Sequence, residues 1–445
     1  MQTLIKSEYI VAAVNCKKAA KKQLLFCLMA TVCLLTSHIS FNAQEKPLTL
    51  SEILVKLDNG KSQPVNEQSL ESKNAKITEE IRRKSIDFVL LPKSEDLLKR
   101  SGANFNLVEL IRGISQTLVG KMIPTTAEEF LIKGIYCKET DLDCKIDNNT
   151  KAIKLNGNFA NAYFNRGLAY LKKRNYREAT IDFDKAIELF PNNPVFYYQR
   201  GVTDLETGNY TQAIPYFTTA IKLDPKYVAA YGERGTAYSR SGTFDAAIRD
   251  NTIVIELSPN DSRGYYNRGI SYVGKGNFEQ AIKDYDKALT ISPNGDDIYN
   301  NRGTAYALSG KLDEAIKNYD KAAQLNPQNA SAFFNKGNVL SEKGESDLAL
   351  RNYSRAIELN STYLEAIHNR GAEYVKQKDF VRAISDFSKI IELNPRNARG
   401  YISRAVAYFY QENKDLCVAD LKKALEIDPD NQVAQRQLQW ILSNK

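Results

Sequence analysis

The sequence predicts an all-α solenoid built from pairs of antiparallel helices. A basic residue followed by Gly recurs at a constant interval, apolar and small residues follow helical spacing in two blocks per unit, and a Pro closes most units. The basic positions are Arg166-Gly167, Arg200-Gly201, Arg234-Gly235, Arg268-Gly269, Arg302-Gly303, Lys336-Gly337, Arg370-Gly371 and Arg404-Ala405. Eight units at this constant 34-residue period indicate a repeat protein whose units fold only when stacked on their neighbours.

Each unit is predicted to hold a first helix, an inner turn and a second helix. A Gly at the inner turn can adopt the left-handed conformation that ends a helix, and it recurs at Gly208, Gly242, Gly276, Gly310 and Gly344. Prolines then stop the second helices, at Pro191, Pro225, Pro259, Pro293, Pro327, Pro395 and Pro429. The eight repeats are assigned to residues 160–431, and a polar-faced helix with Trp440, within residues 432–445, is predicted to cap them.

The period, the Gly, Ala, aromatic and Pro positions agree together, and in this the pattern resembles the tetratricopeptide repeat family over residues 160–431. The resemblance implies a right-handed superhelical solenoid whose first helices line a concave groove. It further implies a protein–protein interaction scaffold without enzymatic activity. The last repeat departs from the pattern at Ala405, Cys417 and Leu421, as a terminal repeat can.

The N-terminal segment, residues 1–43, has the layout of a secretory signal. Four Lys between residues 17 and 22 precede an apolar run at residues 24–35, which is too short to span a bilayer. Cleavage is expected after Ala43, leaving an exported protein in the periplasm or outside the cell. The alternatives are an uncleaved membrane anchor and a lipoprotein built on Cys33. Membrane association is expected only through an uncleaved N-terminal segment.

Residues 44–122 are predicted to form a small helical domain with a polar linker at 58–75. Residues 123–159 follow as a degenerate first repeat, where Thr126 and Glu129 can form a capping box. Cys137 would lie near the end of its first helix and Cys144 near the start of its second. A disulfide between them is sterically reasonable, and two free buried thiols are the alternative.

Several function classes are excluded or disfavoured by composition. Of the two His residues, His38 lies in the signal segment, so His368 alone remains, and a His-rich metal site cannot be built. No phosphate-binding loop, nucleophile elbow or Cys-x-x-Cys pair occurs. Removal of residues 1–43 lowers the net charge from +8 to +4, too little for a dedicated nucleic-acid binder. We therefore expect no catalytic residue, no metal, no cofactor and no nucleic-acid partner.

The basic row beside Gly could be mistaken for a phosphate-binding strip. Acidic residues recur in phase with it on the second helices, at Asp182, Asp250, Asp284, Asp386 and Asp420. Pairing of each Arg with the Asp of its own unit explains the row as a scaffold feature.

A polar row stands two residues before the repeat Gly and is the predicted peptide-binding site. Its amide members are Asn165, Gln199, Asn267, Asn301, Asn335 and Asn369, and Glu233 and Ser403 interrupt it. An Asn amide can pair with both the C=O and the N–H of an extended peptide. The Asn members resemble the asparagine ladder in the repeats of the O-linked N-acetylglucosamine transferase, which holds extended polypeptides. The alternative is that these amides simply bond neighbouring helices.

Aromatic residues stand one position earlier in four of the first helices and are predicted to form the groove walls: Phe164, Tyr198, Tyr266 and Phe334. Partial burial between repeats is an equal alternative, and His368 in the same row is expected to be a solvated groove residue. The sequence thus predicts a scaffold that binds an extended polypeptide or partner protein in its groove. The competing class is an assembly subunit of an envelope complex that uses its convex face or N-terminal domain.

Overall fold

The structure, a computed structural model, describes residues 124–443 of the chain. The predictions for the signal segment 1–43 and for the helical domain 44–122 with its linker 58–75 lie outside the described residues. The degenerate first repeat, the eight repeats and the C-terminal helix lie inside them.

Within the described part, the chain folds into nineteen helices and no strand. In chain order they are α1 Ala127–Tyr136, α2 Leu142–Leu155, α3 Ala160–Lys172, α4 Tyr176–Leu189, α5 Pro194–Glu206, α6 Tyr210–Leu223, α7 Val228–Arg240, α8 Phe244–Leu257, α9 Ser262–Gly274, α10 Phe278–Ile291, α11 Asp296–Leu308, α12 Leu312–Leu325, α13 Ala330–Glu342, α14 Ser346–Leu359, α15 Leu364–Lys376, α16 Phe380–Leu393, α17 Ala398–Tyr410, α18 Lys414–Ile427 and α19 Gln432–Ser443. The prediction of an all-α solenoid of helix pairs is confirmed.

The described residues divide into two compact units, 124–203 and 204–443. In the described part of the first unit, α1 packs on α2, α2 on α3 and α3 on α4. Ala152 and Ala162 are fully buried at the contact between the first two repeats. A Cβ on Gly167 would lie 2.8 Å from the ring of Phe183, so the ring of the second helix requires the missing side chain of the first.

In the second unit, six further hairpins stack in chain order from α7 to α18, and α19 packs on α18. The same ring-on-Gly contact recurs here, because a Cβ on the repeat Gly would lie 2.6–2.8 Å from a Tyr ring in three consecutive repeats, at Gly269 (2.6 Å), Gly303 (2.8 Å) and Gly337 (2.7 Å). In α19, Ala434 and Ile441 are buried against the last repeat, as the cap prediction requires.

The inner turns keep one backbone geometry in all eight repeats of residues 160–431. The five predicted turn glycines have φ between 77° and 80°. In the three repeats that lack this Gly, the turn residue is still left-handed, at Arg174, Lys378 and Glu412, with φ of 60–62°. Helix packing therefore imposes the turn, and Gly only lowers its steric cost.

The degenerate first repeat is a complete helix pair. Thr126 caps α1 and forms the predicted capping box with Glu129. Cys137 ends α1, Cys144 lies in the first turn of α2, and the two are joined by a disulfide with Cα atoms 5.9 Å apart. Cys417, in the last repeat, is buried and free, and burial raises the pKa of its thiol.

The predicted Arg–Asp pairs are present at all five positions. Arg268 shows the geometry: its Nε and Nη2 each donate to one carboxylate oxygen of Asp284 at 2.8 Å, and its Nη1 donates to Thr252 Oγ1 at 3.1 Å. Each such Arg thus connects the Asp of its own second helix with a hydroxyl on the preceding second helix. The hydroxyls occupy one common repeat position, at Thr150, Thr218, Thr252, Ser354 and Ser388. The guanidinium ties each repeat to the preceding one.

Three cations obtain their carboxylate from the preceding repeat instead. Arg200 pairs with Asp184, Arg302 with Asp286 and Lys336 with Asp320, each acid standing where the other repeats have the hydroxyl. Arg302 also donates from Nε to Asn318 Oδ1 at 2.8 Å, where other repeats have Asp. Each of the eight basic residues therefore has one Asp, taken from either of two positions.

Replacement of Asp284 by Asn is expected to lower the free energy of unfolding by about 3 kcal/mol, because it leaves the half-buried Arg268 without a carboxylate. Denaturant titration followed by circular dichroism measures the loss. The double variant Thr252→Asp, Asp284→Asn recreates the arrangement around Arg302 and should recover most of it. A double variant as unstable as the single one would contradict the two-position rule.

Replacement of Cys137 and Cys144 by Ser is expected to destabilise the first helix pair locally, by on the order of 2 kcal/mol, because the reduced segment gains chain entropy when it opens. Hydrogen exchange of the α1 and α2 amides measures this opening. The wild type in a reductant should exchange like the variant, and the reductant should leave the variant itself unchanged. Equal protection in all samples would show that the disulfide is energetically silent.

Candidate functional site

The first helices of the second unit lie side by side. α7 contacts α9, α9 contacts α11, and the series continues through α13, α15 and α17. Second helices of successive repeats in this unit hardly contact one another. The first helices therefore lie on the inner side of the second unit, and we call the surface formed by α7, α9, α11, α13, α15 and α17 the inner face.

The predicted Asn row of this unit lies half-buried on the inner face, and its amide donors are largely engaged. Asn301 Nδ2 donates to the hydroxyl of Tyr266 at 2.7 Å, and Asn335 Nδ2 donates to Asn300 Oδ1 at 3.1 Å. Asn369 Nδ2 donates to Asn338 Oδ1 at 2.9 Å. These bonds join neighbouring first helices, which is the structural role that the sequence left as an alternative.

The acceptor side of the row is more open. Among residues 124–443, no donor contacts the Oδ1 atoms of Asn301 and Asn335, and the side chain of Asn267 makes no hydrogen bond. A bound chain could therefore donate its backbone N–H groups to this row. In the first unit, Asn165 Nδ2 donates to Asn161 O of its own helix, and Gln199 is half-buried.

The two interruptions of the row are also half-buried. Burial raises the pKa of Glu233, Arg263 opposes the shift and the nearby Glu206 adds to it. Ser403 Oγ lies 3.0 Å from His368 Nε2, across the contact between α15 and α17.

The aromatic row packs between helices and is half-buried throughout, Tyr198 included. Phe164 lies 4.7 Å from Phe196 between ring centroids, and Phe334 lies 4.9 Å from Tyr363. Tyr266 packs on Tyr285 at 6.1 Å, and burial, aided by the negative charge of Asp297, raises its pKa to about 12. These rings stabilise the repeat contacts and expose only part of their surface to a ligand.

His368 is also tied into the contact between repeats. Its ring packs on Phe387 at 5.7 Å, and Arg399 Nη2 lies 3.5 Å from its Nδ1. Burial and the charge of Arg399 lower the pKa of the imidazole, against an opposing hydrogen bond with Asn369. The expectation of a solvated residue is therefore wrong: His368 is half-buried and packed.

Two larger clefts open on the second unit. An apolar cleft of about 410 Å³ lies between α17 and α19 and is lined by Phe409, Tyr410, Trp440 and Ile441, among others. A polar cleft of about 350 Å³ lies where α13, α14 and α15 meet, and Asn369 of the polar row lines it. The polar cleft thus continues the inner face.

Sequence reasoning did not single out the other residues of the polar cleft. Glu373, Ser341, Asn338 and Tyr353 line it, and Ser346 lies beneath. A signal was present, because Glu373 and Ser346 both depart from the residue type found at the equivalent positions of the other repeats.

No group of three or more His, Cys, Asp or Glu side chains among residues 124–443 is arranged to hold a metal ion. No helix in that range is long and apolar enough to cross a membrane.

Family models bear directly on these repeats. Models described as tetratricopeptide repeat match residues 160–193, 198–262, 330–363, 364–397 and 398–431, and one described as TPR repeat matches residues 271–310 and 303–344. Together they span more than half of the chain. The chain belongs to the tetratricopeptide repeat family. Such repeats are generally protein–protein interaction scaffolds.

Solved structures of other repeat proteins are similar to parts of this tetratricopeptide repeat protein. YrrB, described as a TPR protein with an unusual peptide-binding site, is 29% identical, with 42% of this chain and 96% of that chain covered and a TM-score of 0.37. MamA is 30% identical, with coverages of 38% and 92% and a TM-score of 0.35. A tetratricopeptide repeat protein from Parabacteroides merdae is 20% identical, with coverages of 56% and 98% and a TM-score of 0.43. No curated protein matches the chain.

The buried imidazole predicts a pH dependence of stability. Since the pKa of His368 is lower in the folded chain, the unfolded chain binds its proton more readily. The stability that the neutral His368 imidazole contributes is therefore fully present above about pH 6.5, its pKa in the unfolded chain, and it is lost as the pH falls below that value. His368→Phe, which places the residue of Phe164 and Phe334 in this row, should remove this component. Melting temperatures at pH 7.5 and pH 5.5 measure it, and equal drops in both proteins would contradict it.

Proposed function

We propose that this tetratricopeptide repeat protein is a scaffold that binds an extended polypeptide, or an extended segment of a partner protein, along the inner face of its second unit. The observation that carries the proposal is the row of open amide oxygens at Asn301 and Asn335 beside the unengaged Asn267. These groups recur once in each of three consecutive repeats, and a ligand that covers them must donate hydrogen bonds to them or incur the cost of their desolvation.

The geometry favours binding of a peptide through its backbone N–H groups. The Nδ2 donors of Asn301, Asn335 and Asn369 bond within the chain, so the row offers mainly acceptors. Backbone N–H groups of a ligand would donate to them independently of its sequence. Each contact would contribute on the order of 1 kcal/mol, so several contacts are needed for a dissociation constant in the micromolar range.

Export to the periplasm or beyond the cell is part of the proposal. The basic and apolar pattern of residues 1–43 supports it. The disulfide between Cys137 and Cys144 supports it independently, because structural disulfides persist mainly in oxidising compartments.

An array of short peptides of varied sequence, probed with residues 44–445, tests the binding function. The variant Asn267→Ala should weaken binding about fivefold, the equivalent of one lost amide hydrogen bond. Since the Asn267 side chain bonds to nothing else among the described residues, its removal should leave the melting temperature unchanged.

The matched control is Asn352→Ala, on the second helix α14, where the amide bonds only to Leu348 of its own helix. It should bind peptides like the wild type. An array without any bound peptide, or equal binding by all three proteins, would contradict the proposal that the inner face binds peptides. Partner binding that depends instead on residues 44–122 would favour the assembly subunit.

A further inference from the structure

The junction of α13, α14 and α15 departs from the repeat pattern at positions that are neighbours in space. Glu373 stands in a row whose other members are small or apolar: Ala169, Thr203, Ala237, Ser271, Ala305, Val339 and Ala407. Ser346 stands in a row that otherwise holds large side chains: Tyr176, Tyr210, Phe244, Phe278, Leu312, Phe380 and Lys414. Glu373 is therefore a carboxylate where the other repeats have a small or apolar residue. Next to it, Ser346 is small where the other repeats have a large side chain.

The exchange at Ser346 explains why a cleft exists. In other repeats, the large residue packs on the last turn of the next first helix: Phe380 stacks on Tyr410 at 5.7 Å, and the ring of Phe244 fills the space over Gly274. The residue equivalent to Tyr410 and Gly274 in the repeat after Ser346 is Lys376. With Ser at position 346, the large side chain that packs on this turn in the other repeats is missing, and the polar cleft of about 350 Å³ opens there. This volume accommodates a ligand side chain.

Glu373 is the charged base of the cleft. Its residue is 1% exposed, and its Oε2 accepts from Ser341 Oγ at 2.7 Å and from Lys376 Nζ at 2.8 Å, while Ser346 Oγ donates to Oε1. Burial alone would raise the pKa of this carboxyl, but the hydrogen bonds from Lys376, Ser346 and Ser341 outweigh burial and lower the pKa. The carboxylate is thus ionised at neutral pH.

The cation that faces Glu373 is largely exposed to solvent. The Lys376 side chain is 59% exposed and reaches over the cleft from the last turn of α15, where its Nζ also donates to Ser341 Oγ at 2.9 Å. If its ammonium leaves the carboxylate, it enters water at little cost. Glu342 also lines the cleft, so the lining carries two carboxylates against one ammonium. The vacated place therefore favours another cation.

We propose that this cleft binds a basic side chain, Arg or Lys, of the polypeptide on the inner face, with Glu373 as its counter-ion in place of Lys376. The proposal rests on the proposed function and adds a side-chain preference to the sequence-independent row. Arg fits best, because its planar guanidinium can pair with both oxygens of a carboxylate. Asn338 Oδ1, which already accepts from Asn369 and from the Tyr353 hydroxyl at 2.9 Å, holds these two side chains at the wall.

The test is a second peptide array in which a series of Ala- and Ser-rich peptides carries Arg, Lys, Gln or Glu at each position in turn. The wild type should prefer Arg over Gln about tenfold at one register, the effect of one charge-assisted hydrogen-bonded pair. Glu373→Gln should abolish this preference without changing the affinity for the Gln peptides. Lys376→Met should strengthen it, because the competing ammonium is gone.

Three further variants exclude trivial explanations. Glu373→Ala restores the residue type of its row, so the protein should fold while the preference is lost. Ser346→Phe refills the cleft with the carboxylate still present and should also remove the preference. Glu392→Gln removes an exposed carboxylate from α16 that pairs with Lys389, and it should leave the preference intact.

The outcomes separate this proposal from the proposed function. If peptides bind with no difference between Arg and Gln, or with a preference that Glu373→Gln leaves unchanged, the proposed site for a basic side chain is wrong. Peptide binding on the inner face would still stand. If Glu392→Gln loses the Arg preference to the same extent, the preference reflects general charge attraction, and the proposed site is again wrong. An array without any bound peptide would contradict both this site and peptide binding on the inner face.

Discussion

The stacking of the repeats depends on one ion pair in each repeat, in which an Asp neutralises a half-buried cation. A guanidinium or ammonium lies between two second helices, where an unpaired charge would cost several kcal/mol. Eight such cations each have one Asp, five from their own repeat and three from the preceding one. Each cation thereby ties its own repeat to the second helix of the preceding one.

The 34-residue period was sufficient to predict the helix pairs, the turns and the capping helix, because each repeat position faces the same surroundings. The carboxylates at Asp184, Asp286 and Asp320 were not recognised as partners of the basic row. The sequence does contain a signal for them. Wherever the cation's own second helix lacks the Asp, the preceding second helix carries an Asp at the position where the other repeats have the hydroxyl. A search within single repeats cannot detect a partner that the neighbouring repeat supplies.

The sequence indicated which residues form the polar row but not their hydrogen bonds. The Asn row was expected on the inner face because first helices line the groove in the family that the pattern resembles, yet the engagement of Asn301 and Asn335 depends on contacts with the first helix of the preceding repeat. His368 was expected to be solvated, whereas packing on Phe387 and the nearby Arg399 hold it in the contact between repeats. Side-chain partners across helices follow from three-dimensional packing, which a one-dimensional period does not contain.

The acids borrowed from a preceding repeat also limit how this array can be rearranged. A repeat that carries its own Asp and supplies none to the next repeat, such as that of Arg234, brings its charge balance with it when it is moved or duplicated. The repeats of Arg302 and Lys336 do not, because Asp286 and Asp320 remain behind in the repeat before them. They can be transplanted only together with their N-terminal neighbours. The modules of this chain are therefore unequal as units of recombination, although their backbones are nearly interchangeable.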